Sequence, residues 1–411
     1  MQFSKANYRV FSIILFGFLL FGLKEFAELI YHPMQSTIAF IGLIFIFLSP
    51  FFFKYKIANP LKGKIRIVFN AYLCWIVFII IRPFFSGEEF SEDSLHPYKI
   101  YGLTAYLLPF VVLLGTRIIS LPKLFKIIFV FSVIGYVFFV LNFNTMQSVV
   151  LRGLVMSTDG EMGLASLADQ YNFWFAISCF SMLCYEFVPK KYKWFAIFSS
   201  LFILFLFAFL ARRSGVVMIA LYFFGMFYLY LQQSKSRNVF LKFVFIGVII
   251  SIIFVAVNTY SNSTFSLLFN RINEDTRSDV DKTIIKYLTA ENAWLFGKGI
   301  EGAYKHPDFE LPRYTHETGY LYLILKGGII YLAFYVFLLL HASYIGFFKT
   351  RNRLTKALAL YVFFHVIFLI PFGLPSFGLE YLFVWIAFSL CESSNWRSKT
   401  NNQVKEYLVN F

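Results

Sequence analysis

A succession of apolar runs, each about 17–25 residues long and so able to span a bilayer as a helix, decides what this sequence can fold into. The runs fall at roughly 10–30, 37–53, 65–85, 98–115, 124–142, 171–189, 194–211, 214–231, 239–258, 318–341, 357–371 and 376–392. They predict an all-α polytopic membrane protein, a single transmembrane domain over residues 1–411 with about twelve helices. Apolar residues make up 59% of the chain and charged residues only 14%, which excludes a soluble domain. Residues 10–23 follow Lys5 and Arg9 as a signal-peptide core would, but Lys24-Glu25 stands where a small-residue cleavage site belongs, so the segment reads as an uncleaved first helix.

The formal charge of +15 has two readings, nucleic-acid binding or topology. No basic block is interleaved with a folded soluble domain, so nucleic acid is not an expected partner. Placing the N-terminus in the cytoplasm puts the basic clusters on one side, as the positive-inside rule requires. These are Lys54 to Arg66, Arg117 to Lys126, Lys190 to Lys193, Lys235 to Lys242, Lys349 to Lys356 and Arg397 to Lys405. The loop after the third run is acidic, with Glu88, Glu89, Glu92 and Asp93, and falls outside. Both termini are then expected inside, and residues 259–317 form one large external loop. Residues 143–170, carrying Arg152, form a second. The tail after Trp396 is expected to fray. Cys74, Cys179, Cys184 and Cys391 lack zinc-site spacing and read as buried apolar thiols.

The polar stretch from Asn258 to Lys326 is too long for an ordinary connection. It is expected to be partly helical, because Val280, Ile284, Tyr287, Leu288 and Trp294 fall near helical spacing with Asp281, Lys282, Lys286 and Glu291 between them. The same topology makes Ala211-Arg212-Arg213-Ser214-Gly215 anomalous, since it sets two arginines at the outer membrane edge. Charges there are costly and mark functional sites; the plainer reading is snorkelling to headgroups or pairing with Asp275. Guanidinium forks suit phosphate oxygens, so Arg212, Arg213, Ser214, Arg277, Arg271 and Arg152 are the candidate binding residues for a multiply charged anion. A lipid-linked diphosphate would lie at this depth. His316 and Glu317 close the loop as candidate proton acceptors, and which of them serves stays open. Gly327-Gly328 reads as a site of close helix packing. Tyr314, Tyr320 and Tyr322 read as an interfacial belt, His341 and His365 as packing residues.

Three motifs together resemble the bacterial O-antigen polymerase (Wzy-type) and O-antigen ligase superfamily of polytopic membrane glycosyltransferases. Phe209-Leu210-Ala211-Arg212-Arg213-Ser214-Gly215-Val216 resembles its arginine motif at the outer end of a helix. Arg277, then Ile285 to Leu288, then Leu295-Phe296-Gly297-Lys298-Gly299-Ile300, resembles the arginine, amphipathic helix and Gly-x-Gly of the large external loop. His316-Glu317-Thr318-Gly319-Tyr320-Leu321, followed by Gly327-Gly328-Ile329-Ile330, resembles its loop-closing histidine motif, although the family commonly has Asn where Glu317 stands. The motifs cover about residues 205–335.

The resemblance implies a GT-C-like membrane glycosyltransferase architecture in the bacterial inner membrane, with the site on its external face. It implies transfer of a glycan from undecaprenyl diphosphate without metal or other cofactor. The catalytic residues would be His316, Arg213, Arg277 and Glu317. The donor and acceptor would be lipid-linked oligosaccharides, and a chain-length regulator and a flippase would be partners. The expected activity is polymerisation of O-antigen or capsule. The rival activities are ligation to lipid A core or protein, and, from another class, transport of the lipid-linked sugar. Transporters place ionisable residues at mid-membrane and show repeated halves, which this sequence does not.

Overall fold

The computed structural model describes residues 5–30, 32–52, 61–86, 102–114, 125, 129–130, 133, 136–137, 140, 180–209, 213–232, 278–305, 312–371 and 375–409. These are predominantly helical, with no strand among them. The chain divides into two compact units, one of residues 1–127 and 275–411, the other of residues 128–274.

In the first unit, α1 (Lys5–Ile30) and α2 (His32–Phe52) form a tight hairpin. Gly17 and Gly42 face each other so closely that a Cβ on Gly17 would stand 2.6 Å from the Gly42 carbonyl oxygen. Next come α3 (Lys64–Ser86) and the short α4 (Leu103–Leu107), which tightens into a 3₁₀ segment over Leu108–Leu114. The single span expected at 98–115 is therefore not one regular α-helix where it is described. Pro109 has no amide to give to the ladder.

The centre of this unit is α8 (Gly319–Phe348), α9 (Arg353–Phe368) and α10 (Leu379–Glu392), packed with α3. Leu338, Leu339, Leu358, Val362, Leu382 and Phe383 are fully buried between them. Helix α9 starts where Asn352 Oδ1 accepts the Thr355 amide at 2.8 Å, a side-chain N-cap. The same residue donates from Nδ2 to the Trp396 and Lys399 carbonyls. That corrects the expected frayed tail. The two short helices α11 (Ser394–Ser398) and α12 (Asn401–Val409) fold back, burying Trp396 and Val404.

Two of these helices, α3 over Lys64–Phe85 and α8 over Gly319–Phe348, are long and apolar enough to cross a membrane. Helix α7 (Ser278–Ala290) lies in the polar stretch, as its periodicity predicts. In the second unit, α5 (Lys190–Phe209) and α6 (Arg213–Leu231) pack together, and a Cβ on Gly215 would meet the Phe207 ring at 2.7 Å. Phe129 and Tyr136 pack their rings edge-on or tilted against Tyr192, Phe195, Phe198 and Phe202 of α5.

Cys184 and Cys391 are buried, but Cys74 is exposed on α3, and Cys179 lies outside the described residues.

Candidate functional site

Helix α8 is broken at Gly328, where φ is 75° and ψ is −178°. That conformation is essentially reserved for glycine. A continuous helix would have bonded the Ile329 amide to the Leu325 carbonyl; here it donates to the Trp294 carbonyl at 2.8 Å. Three carbonyls at the break are taken up by other segments. Lys298 N reaches Leu325 O at 2.7 Å, Gly299 N reaches Lys326 O at 2.9 Å, and the Trp75 indole reaches Gly327 O at 2.9 Å. Buried backbone groups freed by an irregular segment need such partners. The segment 294–300 is thus laid into the break as if it were part of α8. Ile300 N also donates to Ile79 O, and Arg82 Nη1 to Phe296 O, which ties the same segment to α3. The glycine pair read as a helix-packing site serves both: a Cβ on Gly327 would stand 2.5 Å from Ile79 Cδ1 of α3, while at Gly328 the loop is seated.

Lys326 completes the seat. Its ammonium is buried and donates to the Ile300 and Gly302 carbonyls at 2.7 and 2.8 Å. The Tyr314 and Tyr322 rings stand 5.8 and 5.7 Å from it, within cation–π range. Tyr322 is buried in this packing and does not form a surface belt. Replacing Lys326 with methionine would leave two buried carbonyls without donors. Charge-assisted bonds of this kind contribute about 1.5–3 kcal/mol each, so Lys326→Met is expected to lower stability by about 3 kcal/mol or more. Thermal unfolding of the purified protein would show it.

Helix α7 docks beside this seat. Ile284 and Leu288 lie in one cluster with Ala293, Tyr304, Leu321, Ile324 and Leu325. Asp281 is three and seven residues before those two apolar positions, so it shares their face at its edge. There it meets the end of the loop. His316 Nε2 lies 2.7 Å from Asp281 Oδ1, and Thr318 Oγ1 donates to the same oxygen at 2.9 Å. On its other side, His316 Nδ1 lies 2.8 Å from the Tyr304 hydroxyl. Tyr304 is itself fixed by paired backbone bonds with Arg313. An ionised Asp281 assigns the protons: Nε2–H donates to the carboxylate, and Nδ1 accepts from the tyrosine O–H.

Burial lowers the His316 pKa, and the bond and charge of Asp281 only partly offset it. The ring is neutral at neutral pH. Burial raises the Tyr304 pKa, so the phenol keeps its proton. His316 and Tyr304 are 1% exposed, whereas the Asp281 side chain is 27% exposed. The solvent-reaching member of the chain is therefore the carboxylate. Both described bonds to it land on Oδ1, which leaves the lone pairs of Oδ2 for an incoming hydroxyl. The arrangement can hold a carboxylate as a proton acceptor in one orientation, with a neutral imidazole and a hydroxyl behind it.

Of the residues singled out in the sequence, His316 is in this constellation, and Glu317 lies beside it, half exposed, with Arg313 at 3.9 Å. In this conformation both His316 nitrogens are occupied, so the imidazole acts through its neighbours. Ser214 is in the first turn of α6, which begins at Arg213. Arg152, Arg212, Arg271 and Arg277 lie outside the described residues. His365 is buried, with Nδ1 at 3.4 Å from Glu380; His341 is half-exposed and paired with Glu392 at 2.8 Å. The residues that sequence reasoning missed are Asp281, Tyr304 and Thr318. The register of Asp281 with Ile284 and Leu288 was the available signal. The chain matches no protein-family model, no curated protein and no solved structure.

Proposed function

We propose that the chain is a surface-polysaccharide polymerase of the inner membrane, which transfers a glycan from undecaprenyl diphosphate to a hydroxyl of another lipid-linked repeat unit on the external face. The observation that carries this is the partly exposed Asp281 carboxylate of α7, fixed by His316 and Thr318 beside a loop seated on a broken helix. Transfer needs an acceptor for the proton of the attacking hydroxyl, and Asp281 is free to take it on Oδ2. As the acceptor oxygen bonds to the anomeric carbon, the bond from that carbon to the diphosphate breaks and its electron pair leaves on the diphosphate. By the resemblance of their motifs, Arg213, Arg212 and Arg277 are the candidates to hold that diphosphate and stabilise its developing charge. His316 keeps Asp281 oriented.

Removal of one preorganised donor to developing charge typically slows a reaction by about 10²–10³. Arg213→Ala at equal protein level is accordingly expected to collapse surface polysaccharide to single repeat units, visible as the loss of the ladder on a gel. Normal chain lengths would sink the assignment. Long chains stranded on the carrier lipid would identify a ligase instead.

A further inference from the structure

Two basic segments of the first unit meet at the C-terminal end of α8. Residues 349–356 and 397–405 carry seven lysines and arginines and no carboxylate. They are far apart in sequence, and backbone bonds zip them together. Arg351 N donates to Arg397 O at 2.8 Å, Thr350 Oγ1 donates to the same carbonyl at 3.3 Å, and Arg353 N donates to Asn401 Oδ1 at 2.8 Å. Asn352, the cap of α9, reaches across to the Trp396 and Lys399 carbonyls. Arg351 and Arg397 are thereby set side by side. Like charges gathered in this way repel one another. One carboxylate, Glu392 of α10, lies within electrostatic range of Arg397, and its Oε1 is already 2.8 Å from His341 Nδ1. Lys349 and Arg351 are exposed, and among the described residues the Arg351 guanidinium has no ion-pair partner.

The helix that leads into this corner is long and apolar enough to cross a membrane. Phe337, Leu340, Tyr344 and Phe348 are exposed along it. Their spacings of three, four and four residues put them on one face, a stripe that ends one residue before Lys349. The Tyr344 and Phe348 rings pack 5.3 Å apart, and the Lys349 ammonium stands 5.8 Å from the Tyr344 ring. Aromatic rings followed at once by cations are the composition of a membrane–water boundary. A free anion would meet the cations alone. A lipid with an anionic headgroup meets both, its phosphate at the cations and its acyl chains along the stripe.

We propose that the corner between the α8–α9 turn and α11 binds an anionic phospholipid, with Lys349, Arg351 and Arg397 around the headgroup and the exposed stripe of α8 along the acyl chains. The lipid neutralises the gathered cations and braces the joint at which the C-terminal helices fold back. This goes beyond the polymerase reading and does not depend on it.

The test titrates phosphatidylglycerol and phosphatidylcholine into the purified full-length protein in zwitterionic detergent, with bound lipid read by native mass spectrometry. Wild type is expected to bind phosphatidylglycerol about tenfold or more tightly than phosphatidylcholine. Each cation beside an anionic headgroup is worth about fivefold in affinity. Lys349→Gln and Arg351→Gln are therefore each expected to weaken phosphatidylglycerol binding by about that factor and to leave phosphatidylcholine unchanged. Arg351→Lys keeps the charge and is expected to keep most of the affinity, which separates a lost contact from a folding defect. Lys190→Gln/Lys191→Gln removes two exposed charges elsewhere in the chain and is expected to bind as wild type does. Wild type without a preference for phosphatidylglycerol overturns the proposal, and so does full affinity in both single glutamine variants. An equal loss in the Lys190/Lys191 variant would make the preference a matter of overall charge and would also overturn it. Displacement of the lipid by inorganic phosphate would make the corner a site for free anions and sink the lipid assignment.

Discussion

Asp281→Asn is expected to lower glycan transfer by about 10²–10⁴, the range a positioned general base contributes, while the protein stays folded. The amide keeps an oxygen for the Thr318 hydroxyl and the His316 N–H, so the contacts that seat α7 survive; what disappears is the negative charge and the proton-accepting oxygen. His316→Asn is expected to lower transfer less, because the carboxylate remains and only its orientation loosens. Transfer assayed with lipid-linked repeat units in proteoliposomes, at matched protein level, separates the two. Equal activity of Asp281→Asn and wild type would remove Asp281 from the chemistry.

The same pair carries a pH signature in stability. His316 has a folded-state pKa below its ordinary value of about 6.5, chiefly through burial. Between that lowered value and about 6.5, the unfolded chain binds more protons than the folded one, so stability rises with pH across this window. The contribution is complete above about 6.5 and is lost as pH falls toward the folded value. Asp281→Asn removes the negative charge that raises the His316 pKa and leaves its N–H bonded to a neutral oxygen, which pushes the pKa lower and extends the window downward. Unfolding midpoints measured across the acid range should therefore fall more steeply for Asp281→Asn and less steeply for His316→Asn than for wild type.

Much of the scaffold is written in runs that a single sequence exposes. The third span differs by one residue at each end from α3, and the amphipathic spacing from Val280 onward is the docked helix α7. The site was less legible, for identifiable reasons. Asp281 stands among Asp279, Lys282 and Lys286, so it looks like one charge of a solvated face; only docking distinguishes it. Its partners, Tyr304, His316 and Thr318, are 23 to 37 residues away in sequence, numbered simply by their positions, and nothing in their local patterns links them. Lys326 was visible as a charge in an apolar run, but its acceptors are the carbonyls of Ile300 and Gly302, which carry no side-chain signal. Gly327-Gly328 signalled close backbone approach correctly. What approaches Gly327 is α3, through Ile79, and what approaches Gly328 is the loop, and two glycines read the same either way.

That glycine pair carries the largest expected effect on the fold. A Cβ on Gly328 would stand 2.0 Å from the Leu295 carbonyl oxygen, and the backbone there has φ 75°. Residues other than glycine lose about 1–3 kcal/mol in such a conformation, and forcing an atom into a filled space adds typically 1–3 kcal/mol. Gly328→Ala is thus expected to destabilise the first unit by about 2–6 kcal/mol. The obvious relief is for α8 to straighten, restoring the bond from Ile329 N to Leu325 O. Straightening takes from Lys298 its acceptor, and the loop segment 294–300 then has no seat. The outcome expected is early proteolysis between residues 294 and 318 in the variant, at temperatures where wild type resists, together with loss of transfer. Gly17→Ala makes a control: it also meets a carbonyl, at 2.6 Å, but in the α1–α2 hairpin, so it should lower stability without selectively releasing the loop. If Gly328→Ala unfolds no earlier than wild type and its loop is cut no faster, the break in α8 is not what holds the loop in place.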